Sequence, residues 1–205
     1  MARPDRETLG MSLVELMIVV VIIGILAAIS VVGYRRYIAR ARLSEATAML
    51  AEFAAKEQLY FLDNGAYIEA HKTTSASVST NENASEFWPH DPTVTWDSAR
   101  VAFPVVDSGG NMPLSWRRLG VRPRWPQLFC TYLVNAGCGP PSGTTGCTAP
   151  SGGVGATIWG SAPNTPWFYA VAACNLVGEA TWPSGVTRLT LAHDMPAIRT
   201  IDETQ

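Results

Sequence analysis

Three observations predict an α+β fold, with one long N-terminal helix packed on a small antiparallel β-sheet head. Residues 11–33 are almost wholly apolar. Helix-forming residues then continue to about position 62, with apolar side chains confined to one stripe. Beyond that point come short segments rich in β-branched and aromatic residues, bounded by Gly and Pro. A stripe and a sheet face that must both be buried pack against each other.

The first helical stretch has no polar face, so it is not an amphipathic surface helix. Its length meets the roughly 20 apolar residues that cross a bilayer. A secretory signal would have an apolar core of about 7–15 residues, a basic start and a small-residue cleavage site. "ILAAIS" imitates such a site, but the apolar run is too long. The preceding "MARPDRETLG" is not simply basic either, because Asp5 and Glu7 offset Arg3 and Arg6.

Glu15 is the single charged residue in 11–33. A carboxylate at a bilayer centre costs roughly 2.5–3.5 kcal/mol, and less toward the interface. No Lys or Arg shares its stretch of helix. A cut between Gly10 and Met11 would create an α-amino group four residues before Glu15, one turn away on the same face. That amine, or a neighbouring subunit's, would neutralise the carboxylate.

Past residue 33 the helix changes character. Leu43, Ala46, Leu50 and Phe53 recur at three- and four-residue intervals, and Tyr60 and Phe61 continue roughly in line. Glu52 and Lys56 form an i,i+4 pair on the other side. "DNG" at 63–65 is a stop signal. The spacing therefore predicts one helix over about 12–62. Gly33 weakens it by only about 1 kcal/mol relative to Ala.

Residues 66–100 are polar and irregular, and "HKTTSASVSTNENASE" reads as a surface loop. Asn83-Ala84-Ser85 within it matches a glycosylation sequon. Strands are predicted at 100–106, 128–134, 167–174 and 187–193, the first weakened by Pro104. The last residues, "MPAIRTIDETQ", read as a loose tail.

Four cysteines, Cys130, Cys138, Cys147 and Cys174, lie in the C-terminal half. Their spacing contains no CxxC, and the three histidines are scattered, so no metal site is predicted. Two disulfides in an oxidising compartment fit better. Three connectivities are open. The favoured one closes the loop "CGPPSGTTGC" with Cys138–Cys147 and ties two strands with Cys130–Cys174.

A net charge of −2 creates no global basic field to recruit nucleic acid. One local exception is "WRRLGVRPRWP" at 116–126. Arg117, Arg118, Arg122 and Arg124 lie among Trp116 and Trp125 there, a mixture that can grip phosphates and stack on bases. The competing reading has the tryptophans anchoring a loop to the sheet, with arginines on its surface. No nucleophile elbow, zinc-protease, P-loop or dinucleotide pattern occurs. His193 and Asp194 are sequence neighbours and would face opposite ways on a strand, so they are no ready dyad. A non-enzymatic protein without cofactor is predicted.

The stretch "LGMSLVELMIVVVIIGILAAI" resembles the N-terminal signature of type IV prepilins and pseudopilins, and the likeness extends over roughly residues 9–62. The resemblance implies a pilin-like α+β fold. It also implies a leader, residues 1–10, that prepilin peptidase removes after Gly10, with N-methylation of Met11. Glu15 would pair with a neighbour's terminal amine during assembly. Residues 11–33 would form the transmembrane and later filament-core helix, and 34–62 its amphipathic continuation. A variable loop region, 63–100, and a β-rich head, 101–205, would follow. The implied function is that of a structural subunit, a major or minor pilin of a type IV pilus-like filament. Alternatives are a pseudopilin of type II secretion, or a pilus-associated DNA- or surface-binding subunit using the patch at 116–126.

Implied partners are other pilin subunits, the peptidase, the inner-membrane assembly machinery and membrane lipids, with DNA a minor alternative. The implied location is the bacterial inner membrane, single-pass with the head outside the cytoplasm, and afterwards an extracellular or periplasmic filament. This chain departs from the family in its near-neutral leader and in Val32, where proline is common. It also places Arg35, Arg36, Arg40 and Arg42 after the span, against Arg3 and Arg6 before it. By the positive-inside rule alone that asymmetry would put the head in the cytoplasm, whereas the cysteines and the family pattern put it outside.

Overall fold

The computed structural model describes residues 12–72, 87–89, 101–102, 112–124, 127–138, 157–159, 165–174, 176 and 186–202. Its elements are α1 (Leu13–Asn64), β1 (Val101–Ala102), α2 (Leu114–Leu119), β2 (Gln127–Leu128), β3 (Cys130–Gly137), β4 (Trp167–Cys174), β5 (Thr187–Ala192) and β6 (Arg199–Asp202). The chain divides into two compact units, Met1–Arg40 and Ala41–Gln205.

The first unit contains the apolar part of α1. Leu13–Val31 has a mean hydropathy of 2.9 and is nowhere buried within the molecule. Its 19 residues extend about 28 Å at 1.5 Å per residue, close to the roughly 30 Å hydrocarbon core of a bilayer. The helix runs unbroken through Gly33. Nothing lies within 4 Å of the position a Cβ would take there.

In the second unit α1 buries the stripe legible in its sequence. Ala46, Leu50 and Phe53 are fully inaccessible, and Leu43 and Tyr60 pack against the same cluster. The helix ends at Gly65, whose φ of 71° suits a residue without a Cβ. The Gly65 N–H bonds the Phe61 carbonyl at 2.7 Å and so satisfies one of the terminal acceptors.

The sheet order is β3-β4-β5-β6, antiparallel throughout. Central strand β4 is buried along its whole length. One face, Phe168, Ala170, Ala172 and Cys174, joins the α1 stripe; the other, Trp167, Tyr169, Val171 and Ala173, joins Phe87, Leu133 and Val186. That two-sided burial explains why "WFYAVAAC" is continuously apolar rather than alternating.

Three expectations are corrected. Residues 195–205 are not simply a tail, because Arg199–Asp202 adds strand β6 to the free edge of β5, with a register shift at Arg188/Leu189. Of the strand expected at 100–106, Val101–Ala102 is a strand paired with Gln127–Leu128, and the rest lies outside the described residues. Arginine-rich "LSWRRL" forms the short helix α2 rather than a loop, closed by Gly120 at φ 72°. The 66–100 region also contributes to the core, since Ala70, His71, Phe87 and Trp88 are buried. Ala70 and Trp88 form bridges to Val134 and Tyr132 that cover the outer edge of β3. The sequon at Asn83 lies outside the described residues.

Candidate functional site

Glu15 stands in the first turn of α1, where the positive end of the helix dipole favours a carboxylate. It is exposed among exposed Leu13, Val14, Leu16 and Met17. No ion-pair partner for it occurs among the described residues. An apolar helix with one unpaired carboxylate near its start is incomplete by itself. Its surroundings must supply apolar contact along the helix. Gly10 and Met11, the predicted processing pair, lie outside the described residues.

In the head, Cys130 and Cys174 face each other across β3 and β4 and are joined by a disulfide, with Cα atoms 4.4 Å apart. Cys138 is disulfide-bonded too. Cys147 lies outside the described residues. The Cys130–Cys174 bond closes the strand pair at the end beside α1, where the Cys130 sulfur lies 3.9 Å from the Arg42 carbonyl.

Three acidic side chains on α1 grip the backbone of the head. Glu45 accepts from Phe129 N–H at 2.7 Å, Glu52 from Arg122 N–H at 3.3 Å, and Glu57 from Ile68 N–H at 3.1 Å. Glu52, expected to pair with Lys56 on the surface, instead holds the segment after α2. Glu57 is fully inaccessible, and its Oε1 has no hydrogen-bond partner. Burial pushes its carboxyl up to about 8, partly offset by the Ile68 hydrogen bond. Sequence reasoning passed over Glu45 and Glu57. Glu57 was within its reach, because it stands four residues after Phe53, on the buried stripe.

Arg117, Arg118, Arg122 and Arg124 are exposed, but Trp116 is fully buried. Its indole packs edge-on to Phe53, with ring centroids 4.8 Å apart, and lies 4.9 Å from Trp88. Trp116 therefore offers no face on which a base could stack. Trp125 lies outside the described residues. His193 Nδ1 stands 3.9 Å from Asp194 Oδ1, beyond hydrogen-bond reach, while Asp194 Oδ2 accepts from Trp159 Nε1–H at 3.0 Å. The pair does not form a catalytic dyad. His71 is likewise structural, bonded at 2.6 Å to Asn135, which donates to the Tyr169 hydroxyl. Among the described residues no cluster of three or more His, Cys, Asp or Glu could hold a metal.

The model of the prokaryotic N-terminal methylation motif matches residues 6–31. The chain carries a prokaryotic N-terminal methylation motif. It is 41% identical over 71 residues to the type IV major pilin protein PilE1 of Neisseria gonorrhoeae, covering 35% of this chain and 42% of that protein. It is 40% identical over 72 residues to a fimbrial protein of Neisseria meningitidis serogroup B, covering 35% and 41%. A fimbrial protein of Moraxella nonliquefaciens is 65% identical over 37 residues, 18% of this chain and 24% of its own length. The chain thus spans about two fifths of the length of the first two relatives. No solved structure matches.

Proposed function

We propose that this chain is a structural subunit, a major or minor pilin, of a type IV pilus-like filament. The observation that carries the reading is Glu15, an unpaired carboxylate in the first turn of an exposed apolar helix, inside the methylation motif. Cleavage after Gly10 leaves Met11 as a methylated N-terminus. Its amine, on an adjacent subunit, neutralises Glu15. Apolar helices leave the membrane and bundle, and the Glu15–amine pair fixes their stagger. The protein is not an enzyme but the substrate of the peptidase that processes it. Its head, disulfide-bonded, fits an oxidising space outside the cytoplasm. The chain waits in the inner membrane before assembly.

The test is Glu15→Ala, scored separately for membrane insertion and filament incorporation. Insertion should persist, because the substitution removes a charge from an apolar segment. Breaking a buried ion pair costs roughly 3–5 kcal/mol, so incorporation should fall by about a hundredfold or more. Normal incorporation of the alanine variant would reject the assembly role of Glu15.

A further inference from the structure

Just past the apolar span, α1 carries two exposed aromatic side chains. Tyr34 is 66% exposed and Tyr37 is 70% exposed. Neither meets another aromatic ring among the described residues, and neither has a hydrogen-bond partner there. Arg40, exposed and without an ion pair among the described residues, continues the same three-residue step. Arg35 and Arg36 occupy adjoining helical positions. Arg42 differs: its guanidinium lies over the Phe129 ring at 4.6 Å, so it is committed to the head.

We infer that Tyr34, Tyr37 and Arg40, with Arg35 and Arg36, form a collar that binds anionic phospholipid headgroups at the membrane surface where the span ends. The inference rests on the membrane reading of the preceding segment. Position is the first argument. Counting from Val31 at 1.5 Å per residue, Tyr34 lies about 4.5 Å beyond the apolar span, Tyr37 about 9 Å and Arg40 about 13 Å. Headgroup layers are roughly 5–8 Å thick on each side. Long helical side chains lean back toward the N-terminus, here toward the span, so Tyr37 and Arg40 reach into that layer. Chemistry is the second argument. Tyrosine puts an apolar ring against acyl chains and a hydroxyl in water, and arginine buries its stem while its guanidinium meets phosphate.

Charge balance is the third argument and separates lipid from a neighbouring helix. Glu15 is the sole acidic residue in 11–40, against Arg35, Arg36 and Arg40, and the next carboxylate, Glu45, is engaged by the Phe129 N–H. Identical helices bundled side by side would therefore offer these arginines almost no carboxylates, whereas anionic lipid offers a phosphate to each. The same collar accounts for arginines on the far side of the span: they are held by lipid there rather than reporting a cytoplasmic head.

The test reconstitutes the full chain into bilayers of equal phosphatidylglycerol and phosphatidylcholine and counts co-purifying lipids by mass spectrometry. The wild type should retain phosphatidylglycerol preferentially, and the preference should fall with added salt. Arg35→Gln/Arg36→Gln/Arg40→Gln should lose it by roughly fivefold per arginine. Tyr34→Ala/Tyr37→Ala should lower retention of both lipids alike. An inserted wild type without headgroup preference, or a triple glutamine variant that keeps it, would overturn the collar. Recovery of the wild type outside the bilayer would instead overturn the membrane reading, and the collar with it.

Discussion

Replacing Glu57 with glutamine should stabilise the head at neutral pH and flatten its pH dependence. Glu57, on the inner face of α1, is fully buried, and desolvation raises its carboxyl from 4.5 to about 8. In the unfolded chain the group ionises near its ordinary value, so folding at neutral pH takes up a proton. The sign follows from linkage: the folded state binds more protons between 4.5 and 8, so stability falls as pH rises through that window. Below 4.5 the penalty vanishes. At pH 7 it reaches about 3 kcal/mol, and above pH 8 it levels near roughly 5 kcal/mol, both order-of-magnitude figures. Glutamine keeps an acceptor for the Ile68 N–H and cannot ionise. Urea unfolding of the detergent-solubilised full chain, followed by near-ultraviolet circular dichroism, measures the difference between wild type and Glu57→Gln. It should be close to zero at pH 4 and grow in favour of glutamine toward pH 8. An equal difference at both pH values, or a variant less stable at pH 8, would refute the argument from desolvation.

Other predictions come from the same head. Cys130→Ala/Cys174→Ala opens a disulfide with a sequence separation of 44, worth about 4 kcal/mol by the loop-entropy relation; its urea midpoint should drop, and any further drop on adding reductant then reports the remaining bond at Cys138 alone. Gly137→Ala would drive a Cβ into the indole of Trp167, its buried cross-strand partner. Such overpacking costs about 1–3 kcal/mol, measurable as a lower melting temperature with loss of near-ultraviolet signal from the tryptophans.

How much of this was legible from sequence depends on which force set each element. Helix α1 was readable because its two halves follow two clear rules, uninterrupted apolarity and then a 3.6-residue stripe, and Gly65 closes it at a stop signal. Strands β4 and β5 were readable because β-branched and aromatic residues lie between turn residues. Strand β6 was not, since Arg199, Thr200 and Ile201 are exposed and the pairing of "RTID" comes from the waiting edge of β5 rather than from local pattern. Helix α2 was missed because six residues give too few turns for a period to register. Its burial of Trp116 against Phe53 is a long-range packing event. The Cys130–Cys174 bond was readable once both residues were assigned to strands. The buried acids were overlooked for a different reason: a carboxylate at a stripe position looks polar locally, and only the distant Ile68 and Phe129 N–H groups reveal why it is inside.

The processing of the N-terminus tests the central claim most directly. Intact mass and N-terminal peptide mapping of the protein from native membranes would locate the first residue. The account predicts a chain that begins at Met11 and carries one extra methyl group on its terminal amine. A mature chain that still holds residues 1–10 would contradict it, because Glu15 would then have no amine one turn away to meet, and one that begins after Ala28 or Ser30 would contradict it because Glu15 itself would be gone.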